Sequence, residues 1–523
     1  MAVLLVSGLV FRSLILLTAP VIDQDQALHC TVARHVLEGR WAYENSNGYN
    51  FYSLQESGLS PYNHPLFHLA TAGVAMVIGN IEQAARSVSF AAGLGVIIVL
   101  YLAARLLLPP VLALVVLGVV ALHPGLAYLS ATAYTESLYL FWLSVAVWCL
   151  AALWRGGPCW RLVTGTGLAV ALAALTKPEG ALLAPLYAVF VAILAGRPSG
   201  AWPRPSWLRG ALGFLAVLAL VQAALFPYRL YFRLETGRWK PVSKGLYTLI
   251  VAERYRSVSR REAFFGLNAT HTDTVLADRV GRETLREALA RNRPWLVPTM
   301  ARNALKNLNR VVLPDKEWVG PALLLAGAVA ALRGWRRKHP GTALLAASAA
   351  HGAVQMTAYS VLVPHSRQIV TLVPSLIFFA AAALGQFFER CRPMVTAAAV
   401  WMALATVHAV WSVPELMADL RDSYHLPAVG AWLQEKTPGD AVIMCHDPGV
   451  AYYAQRRHAI MPVAPADALR DYAVHRGASF VVVDLIDDRR GADPLADAVG
   501  FSREAELDFG HGVVRIYRLA PTH

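Results

Sequence analysis

Three acidic side chains sit at the edges of apolar runs. Asp23-Gln24-Asp25 directly follows the first hydrophobic stretch, and Glu136 lies in Ala133-Tyr134-Thr135-Glu136-Ser137 just before another. A carboxylate at the lip of a bilayer is costly to desolvate, so acids retained there point to function. Partly removed from water, such a group gains proton affinity and can serve as a general base. Asp23 has a structural alternative, because Asp23 and Gln26 fit a capping box. Asp25 has no such alternative. It opens a stretch in which Leu28, Val32 and Val36 recur at helical spacing, as expected of a helix lying along a leaflet. Glu136, in the first turn of its run, would also suit the helix dipole.

Other polar groups fall at comparable places. Thr176-Lys177-Pro178-Glu179-Gly180 is a tight turn between two apolar runs. Pro and Gly account for the turn but not for Lys177 and Glu179 at membrane depth. They are either a snorkelling ion pair or, for Lys177, a grip on an anionic headgroup. His365 and Arg367 stand at another run's end, where an arginine can clamp phosphate oxygens or anchor a helix. Tyr62, Asn63, His64 and Pro65 lead into a short apolar run, with Pro65 suited to a first helical position. Asp25 and His29, four apart, could share a divalent cation with Glu136, although no ligand set demands one and no cofactor is implied with certainty. The five cysteines lack paired spacing and read as small apolar fillers.

The elements that must position these residues are membrane helices. The chain has 523 residues, 56% hydrophobic and only 15% charged, where a soluble domain carries about a quarter charged. Runs of roughly 17 to 25 apolar residues are sought, and candidates fall at 3–20, 87–107, 110–128, 138–154, 161–176, 180–196, 209–227, 318–333, 341–363, 368–388 and 394–413. The first lacks a basic leader and a small-residue cleavage site and reads as a retained anchor. The run 66–78 is short and reads as interfacial or re-entrant. This gives about 11 spans. The basic connections after Trp154, Arg197, Arg333 and Glu389 then share one side, the cytoplasm by the positive-inside rule. The net charge of +13 is accordingly read as topology, not as nucleic-acid binding. Loops 21–86 and 228–317 and the tail fall outside. Loop 228–317 is Arg-rich with amphipathic helical patterning, which suits helices at the interface. Beyond Pro414 the character changes. Ala441 to Met444 and Phe480 to Val483 read as strands, and Val429 to Glu435 and Ala466 to His475 as helices. The expected fold is an all-α polytopic membrane domain (1–414) followed by a small extracytoplasmic α/β domain (415–523).

Asp23-Gln24-Asp25, Ala33-Arg34-His35-Val36-Leu37-Glu38-Gly39 and Tyr62-Asn63-His64-Pro65 together resemble the first outer loop of the GT-C membrane glycosyltransferases. Ala84-Ala85-Arg86-Ser87-Val88 is similar to that superfamily's entry into its second span. Thr132 to Leu138 resembles its second acidic loop, and Leu175 to Gly180 a turn seen in many bacterial members. The resemblance covers about residues 1–390, in the protein O-mannosyltransferase and aminoarabinose transferase type. It implies an inverting transfer from a polyprenyl-phosphate sugar to the hydroxyl of a lipid, glycan or protein acceptor, in a bacterial inner membrane, on the extracytoplasmic face. It also implies Asp25 or Asp23 as the base on the acceptor hydroxyl and Glu136 as its helper. Lys177 with Arg367 would hold the donor phosphate, and Glu179, His365, His64 and Tyr62 would line the site. Doubling of the first acid, and His365-Ser366-Arg367 in place of Arg-Tyr, depart from the pattern. A secondary transporter is the rival reading, but no repeated halves are visible.

Overall fold

A computed structural model describes residues 1–18, 22, 24–41, 59, 64–198, 206–236, 244–276, 279, 283–312, 349–354, 370–371, 424–486 and 493–520. The expected runs 318–333 and 394–413 fall outside these residues, and 341–363 and 368–388 almost entirely so. The amino-terminal part is helical: α1 (Ala2–Thr18), α2 (Gln24–Leu37), α3 (Pro65–Ile78), α4 (Ile81–Leu107), α5 (Pro110–Leu122), α6 (Pro124–Ala131), α7 (Glu136–Gly156), α8 (Trp160–Thr176), α9 (Glu179–Ala195) and α10 (Trp207–Thr236). Among the described residues, α4, α7 and α10 are long and apolar enough to cross a membrane, and a fourth span results if α5 and α6 count as one. α1, α3, α8 and α9 are shorter apolar helices.

α5 and α6 are one apolar run bent by 53°. The cause is Pro124, which has no N–H to offer the Val120 carbonyl one turn back. The His123 side chain caps the new helix by accepting the Leu126 N–H at 3.3 Å. The freed carbonyls are taken by Arg12 of α1, a fully buried arginine. Its guanidinium donates to Val120 O at 3.1 Å, to Ala121 O at 2.5 Å and, through Nε, to Ser130 Oγ at 3.3 Å. Gly8 permits this approach, since a Cβ there would lie 2.8 Å from that of Ala121. An otherwise costly charge is thus consumed by acceptors that a proline exposed.

The two ends of the bundle can be told apart. Glu136 at the start of α7 meets Lys177 between α8 and α9, while at the opposite ends of α7 and α9 Arg197 stacks over Trp154 at 4.1 Å. Gly180 makes the α8–α9 turn this tight, because a Cβ would fall 2.5 Å from Ala174 N.

The remainder builds a second unit from α11 (Lys244–Arg254), α12 (Arg260–Phe265), α13 (Leu285–Val312), α14 (His425–Lys436), β1 (Val442–Cys445), α15 (Pro448–Ala454), β2 (Arg457–Ile460), α16 (Ala466–His475), β3 (Phe480–Asp484), β4 (Phe501–Asp508) and β5 (Val513–Leu519). The strand order is β2-β1-β3-β5-β4, with β1 parallel to β2 and β3, and β5 antiparallel to both β3 and β4. Strand residues alternate between two cores, as a period of two requires. Ile443, Cys445, Phe480 and Val482 pack on α14 and α15. Val442, Met444, Val481 and Val483 face α16 and also Leu246, Ile250, Ala263, Ala288 and Leu296.

Those last residues belong to the loop 228–317. The expectation of interfacial helices there is therefore corrected in part: much of the apolar stripe of α11 to α13 covers a sheet face. Trp295 and Met300 also pack in that core, whereas Leu285 and Leu289 stay exposed. Two arginines of the segment have local acidic partners. Arg279 and Arg291 bracket Glu253 and Glu283 at 2.6–3.1 Å.

Candidate active site at one end of the bundle

Asp25 lies in the first turn of α2, half-buried, while its neighbours Gln26 and Ala27 are buried. Gln26 ties this turn to the second acidic loop. Its Oε1 accepts the Ala133 N–H at 2.8 Å, three residues before Glu136. That oxygen thus reaches across to another element. Ser89 of α4 holds the same loop by donating to Tyr134 O at 3.0 Å.

Glu136 opens α7, with its carboxylate buried. Thr135 Oγ1 donates to its Oε2 at 3.3 Å, and Lys177 Nζ donates to its Oε1 at 2.9 Å. Lys177 caps the C-terminal end of α8, beside the Tyr139 ring at 6.0 Å, and is as buried as its partner. The structure thus pairs Lys177 with Glu136, 41 positions away, where the sequence suggested Glu179 two residues on. Glu179 begins α9 and is buried at the same turn.

His64 precedes α3, and its Nδ1 donates to the Ala174 carbonyl at 2.5 Å, one turn before Lys177. It braces α3 against α8. His68, one turn into α3, contacts His29 of α2 at 3.1 Å. The sequence signal for these two was present, as imidazoles on otherwise apolar or interfacial faces, but their pairing was not visible. The second unit closes over this end. Tyr453 Oη accepts the Ile22 N–H at 3.0 Å, Tyr424 Oη donates to Thr18 O at 2.5 Å, and Arg34 lies 5.3 Å from the Tyr452 ring.

Of the expected site residues, Asp25, Glu136, Lys177, Glu179 and His64 therefore gather at one end of the bundle. Asp23, Tyr62, His365 and Arg367 lie outside the described residues. Gln26 and His68 join the group as residues without an assigned site role in the sequence reading, and His29, read there as able to share a cation with Asp25, joins it through His68. Among the described residues no group of three or more His, Cys, Asp or Glu is placed to hold a metal ion.

A family model described as dolichyl-phosphate-mannose-protein mannosyltransferase matches residues 61–224, which carry α3 to α9. Comparison of the sequence with curated proteins gives no match. Among solved structures, the chain is similar to the archaeal oligosaccharyltransferase AglB from Archaeoglobus fulgidus, solved with an inhibitory peptide and a dolichol phosphate. That likeness has a TM-score of 0.55 at 15% identity and covers 98% of this chain and 74% of that one. A second structure of the Archaeoglobus fulgidus oligosaccharyltransferase, with zinc and sulfate, gives a TM-score of 0.57 at 13% identity, over 92% of this chain and 68% of that one. The family match spans residues 61–224, and the likeness to the solved oligosaccharyltransferases shows a shared fold.

Proposed function

We propose that the protein transfers a sugar, with inversion, from a polyprenyl-phosphate donor to an acceptor hydroxyl. Asp25 is the base that takes the hydroxyl proton. Glu136 and Lys177 act as a pair. The carboxylate holds the ammonium in place, and an ammonium has three protons, so those not facing Glu136 can meet the donor phosphate. A polyprenyl phosphate is already a good leaving group, so deprotonation of the acceptor and charge stabilisation on the phosphate are the main requirements. Arg367 is proposed as a second phosphate ligand, with Glu179, His365, His64 and Tyr62 around it.

In this reading about 11 spans carry residues 1–414, residues 415–523 form the extracytoplasmic domain, and the site faces away from the cytoplasm in a bacterial inner membrane. The acceptor is a lipid, glycan or protein. The observation that carries the proposal is the buried Glu136–Lys177 pair, joined through Gln26 and Ala133 to the helix that bears Asp25. The dolichol phosphate bound by the Archaeoglobus fulgidus protein is in keeping with such a donor.

The direct test is purified protein incubated with radiolabelled polyprenyl-phosphate hexose and a membrane extract. Label passing into extractable lipid, glycan or protein is expected. Donor left intact across a panel of hexoses and pentoses would sink the reading.

A further inference from the structure

The second unit holds the chain on either side of the step from α1 into α2. Tyr424 donates its hydroxyl proton to Thr18 O at 2.5 Å, at the end of α1. Tyr453 Oη accepts the Ile22 N–H at 3.0 Å, three residues before Asp25. Ile22 is fully buried, in a cluster with Ala27 and Cys30 of α2, Phe67 of α3 and Ala85 of α4. The Tyr452 and Tyr453 rings pack against that cluster.

On the other side of Asp25, Gln26 is bonded to Ala133 of the second acidic loop. Asp25 therefore stands between two anchors four residues apart, one of them on the second unit. The two tyrosine bonds are not equivalent. The bond to Thr18 is exposed, so water can replace it, whereas the bond to Ile22 is part-buried. A sheltered N–H deprived of its acceptor goes unsatisfied unless the backbone moves. Tyr453 is itself seated by the packing of the second unit. A Cβ on Gly430 of α14 would fall 2.4 Å from the Tyr453 Cβ and 2.8 Å from Ala454 N, so α15 lies directly on α14 and has no slack there.

We infer that Tyr453 is a positioning residue of the transfer site: by holding Ile22, the second unit sets where the Asp25 carboxylate stands. The inference rests on the reading of Asp25 as the base. A base works only within hydrogen-bond reach of the proton it takes, and a misplacement of about 1 Å can cost about 100-fold. Tyr453 acts on a backbone point, so its loss lowers turnover by letting Asp25 stray and leaves donor binding as it was.

The test uses the full chain in lipid nanodiscs. Tyr453→Phe keeps the ring and removes the acceptor. Amide hydrogen exchange, read by mass spectrometry on peptides containing Ile22 and Asp25, should speed up by about tenfold in this variant. In transfer from labelled polyprenyl-phosphate hexose, its kcat should fall by about 10- to 100-fold with the donor KM within about twofold. Tyr424→Phe, which loses only the exposed bond, should stay within about twofold of the wild-type kcat. On the Asp25→Asn background Tyr453→Phe should bring no further loss, because a residue that acts through Asp25 then has no base to place. Unchanged exchange or wild-type kcat in Tyr453→Phe would overturn the inference. So would an equal loss in Tyr424→Phe, or a full additional loss on the Asp25→Asn background. A wild type that transfers no sugar would instead overturn the function proposed above, and the exchange measurement would still decide whether Tyr453 holds Ile22.

Discussion

Gln26 accepts the backbone N–H of Ala133 across 107 positions of sequence, and this bond joins the two acidic loops of the molecule. Gln26→Leu keeps the side-chain volume but leaves a buried N–H to be satisfied otherwise, a cost of about 1–3 kcal/mol. The expected result is a larger effect on turnover than on folding: transfer falls by about tenfold or more, in line with the sensitivity of catalysis to small misplacements, while the variant still folds. Parallel turnover and thermal unfolding measurements separate the two.

Breaking the Glu136–Lys177 pair from one side should be worse than removing both charges. Glu136→Gln takes away the counter-charge at 2.9 Å from a buried ammonium, a change that costs about 3–5 kcal/mol. The double variant Glu136→Gln with Lys177→Met should recover most of that stability and none of the transfer. Unfolding of the three variants in one detergent, set against activity, checks both statements.

Arg12 offers a test remote from the site. Arg12→Leu leaves the Val120 and Ala121 carbonyls at the Pro124 bend without the guanidinium, and destabilisation of about 3 kcal/mol or more is expected. Arg12→Lys should recover only part of it, since a single ammonium cannot match a planar fork aimed at several acceptors. The order wild type, lysine, leucine in unfolding temperature is the expected outcome.

Burial pushes the His458 imidazole in β2 down to about 4, helped by nearby His446 and opposed by the bond to the Cys445 carbonyl. Above the ordinary histidine value both folded and unfolded states are neutral there, and this contribution is fully present. As pH falls from about 6.5 towards 4 the unfolded chain binds a proton that the folded chain does not. Up to roughly 3 kcal/mol is lost over that window. The intact protein should therefore show a lower unfolding temperature at pH 5 than at pH 7.5, and His458→Gln should flatten the difference.

The acids were legible in the sequence because charge at the edge of an apolar run is conspicuous. Asp25 and Glu136 needed no partner to attract notice. What they touch was not legible. Gln26 read as half of a capping box because only neighbours within a turn are visible in sequence, and its bond to Ala133 of another element was not visible there. Lys177 read as a partner for Glu179 for the same reason, yet Pro178 turns the chain so that Lys177 ends one helix and Glu179 starts the next. In the second unit, β1 and β3 showed as β-branched or apolar runs. β4, with the pattern Phe501-Ser-Arg-Glu-Ala-Glu-Leu-Asp508, is an edge strand whose charges face solvent and hide its period. The stripe on α11 to α13 was visible as amphipathic, but a stripe does not say whether lipid or sheet will cover it.

The most direct measurement of the central claim is single-turnover transfer from labelled polyprenyl-phosphate sugar by wild type, Asp25→Asn and Asp25→Glu, with donor binding measured on the same samples. Asp25→Asn keeps shape and hydrogen bonding but cannot take a proton. It should bind donor as the wild type does and lose transfer by about 100-fold or more, with Asp25→Glu recovering part of the rate. Transfer by Asp25→Asn at the wild-type rate would contradict the assignment of Asp25 as the base.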